Sequence, residues 1–137
     1  MAEKIDAHQH YWDTREPNGY GWIDALEGEP RRRLCRPILP PELEPMLARA
    51  GISRSVLVQV AETEAEGHYL LALAERFPSI AGVVLWLDLE APDFAERLHA
   101  FREHPKFLGV RSMIENRSDP RWMLQSSVRR AFGVLED

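Results

Sequence analysis

Short apolar runs begin at Val56, Val83 and Val110, a constant 27 residues apart. Each is rich in β-branched residues, the signature of a strand covered on both faces. Between successive runs the apolar residues change to helical spacing. Leu70, Leu73, Ala74 and Phe77 form one stripe, and Phe94, Leu98 and Phe101 form the next. A helix between every two strands constrains the fold strongly. The strands must be parallel and joined by right-handed crossovers, which is the βα repeat.

The first strand of the series covers residues 4–10. Residues 11–40 follow as a long irregular segment, punctuated by Pro17, Gly19, Gly21, Gly28, Pro30 and Pro37 and carrying Tyr11, Trp12, Tyr20 and Trp22. A loop of that length in a compact domain suits a functional lid or a segment pinned down by its aromatics. Arg31-Arg32-Arg33 within it suit a solvated turn or an anion contact. Pro41 opens a helix with Leu43, Met46, Leu47 and Ala50 on one face, and Gly51 stops it. The second strand spans 54–60. Thr63-Glu64-Ala65-Glu66 is a T-x-x-E capping box, so a helix runs from there to about Phe77, with Pro78 at its exit. A strand over 80–89, a helix headed by Pro92, a strand over 107–114 and a helix from about Ser126 complete four βα units in one domain, 1–137. Four such units fit an open sheet or half of a (β/α)8 barrel, and the length favours the open sheet.

Charge narrows the function classes. With 17 Lys and Arg against 22 Asp and Glu, the net charge of −5 gives no basic face for nucleic acid. No apolar run approaches the ~20 residues of a membrane span. No basic, apolar leader opens the chain, and a single cysteine, Cys35, excludes an internal disulfide. These features predict a cytoplasmic protein.

In a parallel α/β fold, chemistry collects where the strands end. His8 and His10 lie at the end of the first strand, and alternation puts Asp6 on their face. Two imidazoles on one face can grip one metal ion, or can be a hydrogen-bonded pair at a strand end. Gln59 ends the second strand, Trp86 and Asp88 the third, and Arg111, Met113 and Glu115 the fourth. Asp88 suits a cap for the loop after it. His68, His99 and His104 fall on helices, away from that rim.

Asp6-Ala7-His8-Gln9-His10, followed by Tyr11-Trp12-Asp13, resembles the opening of the amidohydrolase superfamily in its amidohydrolase 2 branch of sugar-lactonase-like TIM-barrel enzymes. Tyr20-Gly21-Trp22, Val56 to Val60, Thr63 to Glu66, Ile80 to Leu89 and Leu108-Gly109-Val110-Arg111 agree with it in order. The resemblance implies the N-terminal half of a (β/α)8 barrel and a metal-dependent hydrolase acting on the ester bond of a small lactone or sugar-acid derivative. His8 and His10 then stand as catalytic residues and ligands of a divalent metal, zinc or manganese, although some members work without one. Beside them, Arg111 offers a planar fork of donors to a substrate carboxylate or lactone oxygen, or pairs with Glu115; Gln59 either donates to substrate or packs at the barrel mouth; and Trp22 suits the wall of a sugar-sized substrate pocket. The remaining histidines and the general-base aspartate come from later strands in the family. This chain stops in its fourth helix, so whether it is itself an enzyme stays open. A catalytically incomplete fragment, a half-barrel that pairs as a homodimer, and a decarboxylase of the same superfamily are the alternatives.

Overall fold

The computed structural model describes residues 3–136. Four strands, β1 (Ile5–Gln9), β2 (Arg54–Val58), β3 (Ile80–Leu85) and β4 (Phe107–Val110), form one sheet in the order β1-β2-β3-β4. All three pairings are parallel. The helices are α1 (Gly21–Asp24), α2 (Gly28–Leu34), α3 (Pro40–Arg49), α4 (Glu64–Arg76), α5 (Phe94–Arg102) and α6 (Ser126–Glu136). Neighbouring strands that follow in chain order and are joined through helices build a sheet that winds in one direction, as a barrel wall does.

The main core lies between the sheet and the helix layer. Leu57, Val83, Leu85 and Leu87 present one face of the strands to Leu70, Leu73 and Ala74 of α4 and to Phe94, Leu98 and Phe101 of α5. All are buried, and each large aliphatic side chain removed from water contributes roughly 2 kcal/mol. Val128 and Ala131 of α6 close the same core. The opposite face of the sheet is more open: Ile5 and Leu108 are 44% and 56% exposed.

Residues 11–40 are more ordered than their glycines and prolines suggest. They contain α1 and α2, and Trp12 bridges Ile38 through backbone hydrogen bonds of 3.0 and 2.8 Å. α2 holds because Glu29 accepts from both Arg32 and Arg33, one turn ahead of it. The three arginines are therefore helical residues rather than a turn. The segment packs as a second small core of Trp12, Tyr20, Ile23, Val60 and Ala61.

A bulge revises the first strand. Asp6 pairs with Ser55, whereas Gln9 pairs with Leu57, so three steps on β1 face two on β2. Directly paired residues share a face, and Ser55 and Leu57 both belong to the helix-facing side. Asp6 is thus turned away from His8 and His10, although its Oδ1 still accepts the His8 backbone N–H at 3.1 Å.

Candidate active site

His8 and His10 flank Gln9 and lie on the open side of the sheet. Their Nε2 atoms are 3.1 Å apart, with ring centroids at 4.8 Å and planes at 76°. His10 is anchored by Nδ1, which lies 2.9 Å from the carbonyl oxygen of Val58 on β2. A carbonyl only accepts, so Nδ1 carries the proton and Nε2 of the neutral ring offers a lone pair toward His8. Burial is the largest influence on His10 and pushes its pKa below 6.5. The bond to Val58 opposes that shift, and the neighbouring His8 and Arg111 reinforce it. A neutral imidazole near pH 7 is the form that binds metal.

Arg111 stands beside this pair. Its Nη1 donates to the carbonyl oxygen of Gln59 at 3.3 Å, and its Nη2 lies 3.9 Å from Glu115. Gln59 therefore meets the rim through its backbone. Its side chain is fully buried, on the same side as Leu57, and its amide has no hydrogen-bond partner among the described residues. Asp88 accepts the Glu90 N–H at 2.9 Å, the cap expected of it. Arg117 does not extend into solvent. It reaches Glu62 at 3.2 Å and lies over the Trp122 ring at 4.6 Å, and the Trp122 indole donates to Glu90 at 2.8 Å. Loops from three strand ends are thereby tied together.

One step further along β2 a cleft of about 610 Å3 opens between Gly19, Gly21 and Trp22, the Val60–Thr63 stretch, and Met113, Glu115 and Asn116. Neither histidine lines it. Trp22, which the sequence singled out, is 44% exposed at its wall and meets Trp12 edge to face. Glu62 and Asn116 carried no comparable signal in the sequence, being ordinary polar residues in connecting segments.

The back of this wall rests on a group whose role the capping-box reading only half describes. Thr63 does cap α4, accepting the Glu66 N–H at 3.3 Å. The Glu66 carboxylate, however, does not return to the Thr63 backbone. It accepts from the N–H groups of Val60, at 3.1 and 3.0 Å, and Ala61, at 2.7 Å. Glu66 is fully buried, and desolvation outweighs these bonds, raising its pKa from 4.5 to about 7. Burial also holds the neighbouring Tyr20 phenol far above its ordinary range, with the Glu66 charge adding to the effect.

Parallel βα units in chain order, with two histidines at the C-terminal end of the first strand, are the layout of one wall of an α/β barrel. The chain belongs to the amidohydrolase family: the Amidohydro_2 family model, described as amidohydrolase, matches residues 5–137. It is 37% identical over 123 residues to an L-fucono-1,5-lactonase of Burkholderia ambifaria and 38% identical over 120 residues to one of Burkholderia multivorans. It covers 41% and 38% of those two proteins, while they match 90% and 88% of this chain. A crystal structure of a Burkholderia multivorans amidohydrolase with bound zinc superposes with a TM-score of 0.85 at 33% identity, covering 98% of this chain and 46% of that one. The four βα units thus correspond to about half of a TIM-barrel amidohydrolase. Among the described residues no helix is long and apolar enough to cross a membrane.

Proposed function

We propose that this chain forms the first half of a lactone-hydrolysing barrel, in which His8 and His10 hold a divalent metal and Arg111 and Trp22 meet the substrate. The observation that carries this reading is the pair of Nε2 atoms 3.1 Å apart, one of them fixed in its tautomer by the Val58 carbonyl. The donor set suits zinc or manganese as a partial site: two imidazoles, with no cluster of three ligating side chains among the described residues. An ion held there supplies Lewis acidity toward an ester carbonyl. His10 keeps its lone pair available because burial disfavours its protonated form. Arg111 offers guanidinium donors to a lactone oxygen or to the carboxylate of the opened acid, while the Gln59 carbonyl limits its swing. The two lactonase relatives favour ester hydrolysis over decarboxylation. The lone Cys35 and the lack of a membrane-crossing helix among the described residues support a cytoplasmic setting.

Calorimetric titration with zinc and with manganese, paired with acid release from neutral sugar lactones, tests the reading. Wild type should bind metal, and His10→Ala should weaken that binding about tenfold or more. Lactone opening above the spontaneous rate should be lost in the same variant. Equal metal binding by wild type and by the doubly substituted His8→Ala/His10→Ala protein would sink it.

A second reading, the self-associating half-barrel, draws on the sheet itself. Among the described residues β1 and β4 each have one strand partner, and Leu108 and Ile5 are exposed on the open face. Sedimentation showing a concentration-independent monomer would remove it.

A further inference from the structure

The end of β2 is gripped from two sides. Val58 turns its carbonyl to His10, and Gln59 turns its carbonyl to Arg111. The Gln59 N–H donates to the Val84 carbonyl on β3 at 2.9 Å. The next two N–H groups, of Val60 and Ala61, both donate to the Glu66 carboxylate. The Gln59 carbonyl and the Val60 N–H belong to one peptide unit. Among the described residues no peptide bond is cis, so these two groups point in opposite directions within one plane. A single peptide is therefore held between a carboxyl group on the α4 side and a guanidinium on the rim side.

A buried acid costs more than a neutral acceptor. α4 already has its cap in Thr63, and an amide or hydroxyl could accept the same N–H groups without being desolvated as a charge. What a carboxylate adds is that charge. Negative charge at the N–H end of a peptide polarises the unit and strengthens its carbonyl as an acceptor, by roughly 10–30% per bond. Arg111 is placed to respond. Its bond to Gln59 is long, at 3.3 Å, and its Nη2 lies 3.9 Å from the exposed Glu115. Neither tether is short enough to dominate. A stronger Gln59 carbonyl draws the guanidinium toward β2, and a weaker one releases it toward Glu115.

The surroundings leave this task to Glu66. Thr63 donates through its hydroxyl to the Asn18 carbonyl at 2.6 Å, locking the first connection against the end of β2. That connection brings Tyr20 to face Glu66. Tyr69 faces it from α4, with Asp13, Arg15 and Glu16 beyond, and β2 presents only backbone N–H groups. Burial holds both phenols above their ordinary range, Tyr69 pushed up to about 12, so neither ionises near neutral pH. Asp13 and Arg15 are paired at 2.6 Å. Of this set, Glu66 is the group that changes charge near pH 7.

We propose that Glu66 is a positioning residue for the rim: through the Gln59–Val60 peptide its ionised form holds the Arg111 guanidinium where it meets substrate. This role rests on the lactonase reading for what Arg111 binds, but not for the link between Glu66 and Arg111.

NMR of the wild-type protein follows that link with no substrate present. Between about pH 5 and about pH 9 the Val60 and Ala61 amide protons should move with one midpoint near 7, and the Arg111 15Nε and 13Cζ signals should share it. Glu66→Gln should abolish the Arg111 step, whereas His8→Ala/His10→Ala should keep it, which separates Glu66 from the rim imidazoles. The wild-type and histidine arms decide the matter even where Glu66→Gln fails to fold. In lactone opening, Glu66→Gln should raise KM about threefold and leave kcat within about twofold, because Arg111 is loosened rather than removed. Wild-type KM should fall as pH rises through about 7, and this fall should be absent in the variant. A merely structural role would lower kcat through the folded fraction and leave KM and its pH profile unchanged. Arg111 signals that track the two amides in a protein that opens no lactone would support this inference and count against the lactonase reading alone. Arg111 signals that stay flat while Val60 and Ala61 titrate, that keep their step in Glu66→Gln, or that lose it with the two histidines would overturn it.

Discussion

β1 and the corner where β2 runs into α4 are supported in opposite ways. β1 carries His8 and leads directly into His10, yet Ile5, Ala7 and His8 are exposed and, among the described residues, the strand is hydrogen-bonded to the sheet on one side only. The corner carries no proposed ligand, yet Val60, Ala61, Tyr20 and Glu66 are all buried and Glu66 ties off two backbone N–H groups. The contrast shows where positional precision originates. His10 does not hold itself in place. It is held by the Val58 carbonyl, two residues upstream of the backbone that Glu66 fixes. The exposed rim takes its geometry from the buried corner.

Substitutions on the two sides should therefore separate sharply. Replacing Glu66 by Ala leaves the Val60 and Ala61 N–H groups buried without an acceptor, and this should be the largest single loss, about 3 kcal/mol in denaturant unfolding. A loss below about 1 kcal/mol would mean that water or a backbone shift replaces the carboxylate, and the comparison would fail.

The pH dependence of the corner comes next in size. The pKa of Glu66 rises from 4.5 to about 7 on folding, so the folded state holds the proton more tightly than the unfolded one. Its stabilising contribution is complete below pH 4.5 and is lost as pH rises through about 7. Against Glu66→Gln, which does not titrate, wild-type stability should fall by up to about 3 kcal/mol between those limits. A wild-type-minus-variant difference that is flat or rises with pH would show that the three backbone bonds outweigh desolvation.

Gly19→Ala should cost about 1–2 kcal/mol, because the added Cβ meets both the left-handed φ and the Thr63 methyl group. If that variant melts with wild type, the first connection is not locked to the corner as described. The smallest effect belongs to the rim. His8→Ala should change unfolding free energy by less than about 0.5 kcal/mol in the absence of metal, since the side chain is exposed and its nearest polar neighbour is His10. A loss as large as that of Glu66→Ala would erase the distinction between the two regions.

Much of this was legible before any coordinates. The four strands and the four helices that follow them in turn lie within a few residues of where apolar periodicity put them, because burial on one stripe or both faces leaves a direct imprint on composition. The His8–His10 pair was legible because a strand alternates locally and two residues suffice to show it. α1 and α2 were not. Gly28 and Pro30 break the usual helical signals, and the ion pairs of Glu29 with Arg32 and Arg33 become visible only once the turn has formed. The face of Asp6 was misread for a related reason: a bulge depends on the partner strand's register, and nothing in residues 5–10 reports it. The Arg117–Glu62 pair joins residues 55 apart in the chain, beyond any local pattern.

By itself, then, the sequence determined the repeat, the parallel sheet and the presence of two imidazoles at a strand end, since each follows from spacing within one segment. The tertiary structure alone decided which ring nitrogen of His10 keeps its lone pair, that Asp6 turns away from it, and that Glu66 reaches past its own helix to hold β2. Those outcomes depend on which carbonyl, strand or backbone N–H arrives from a distant part of the chain, and on whether water is excluded when it does.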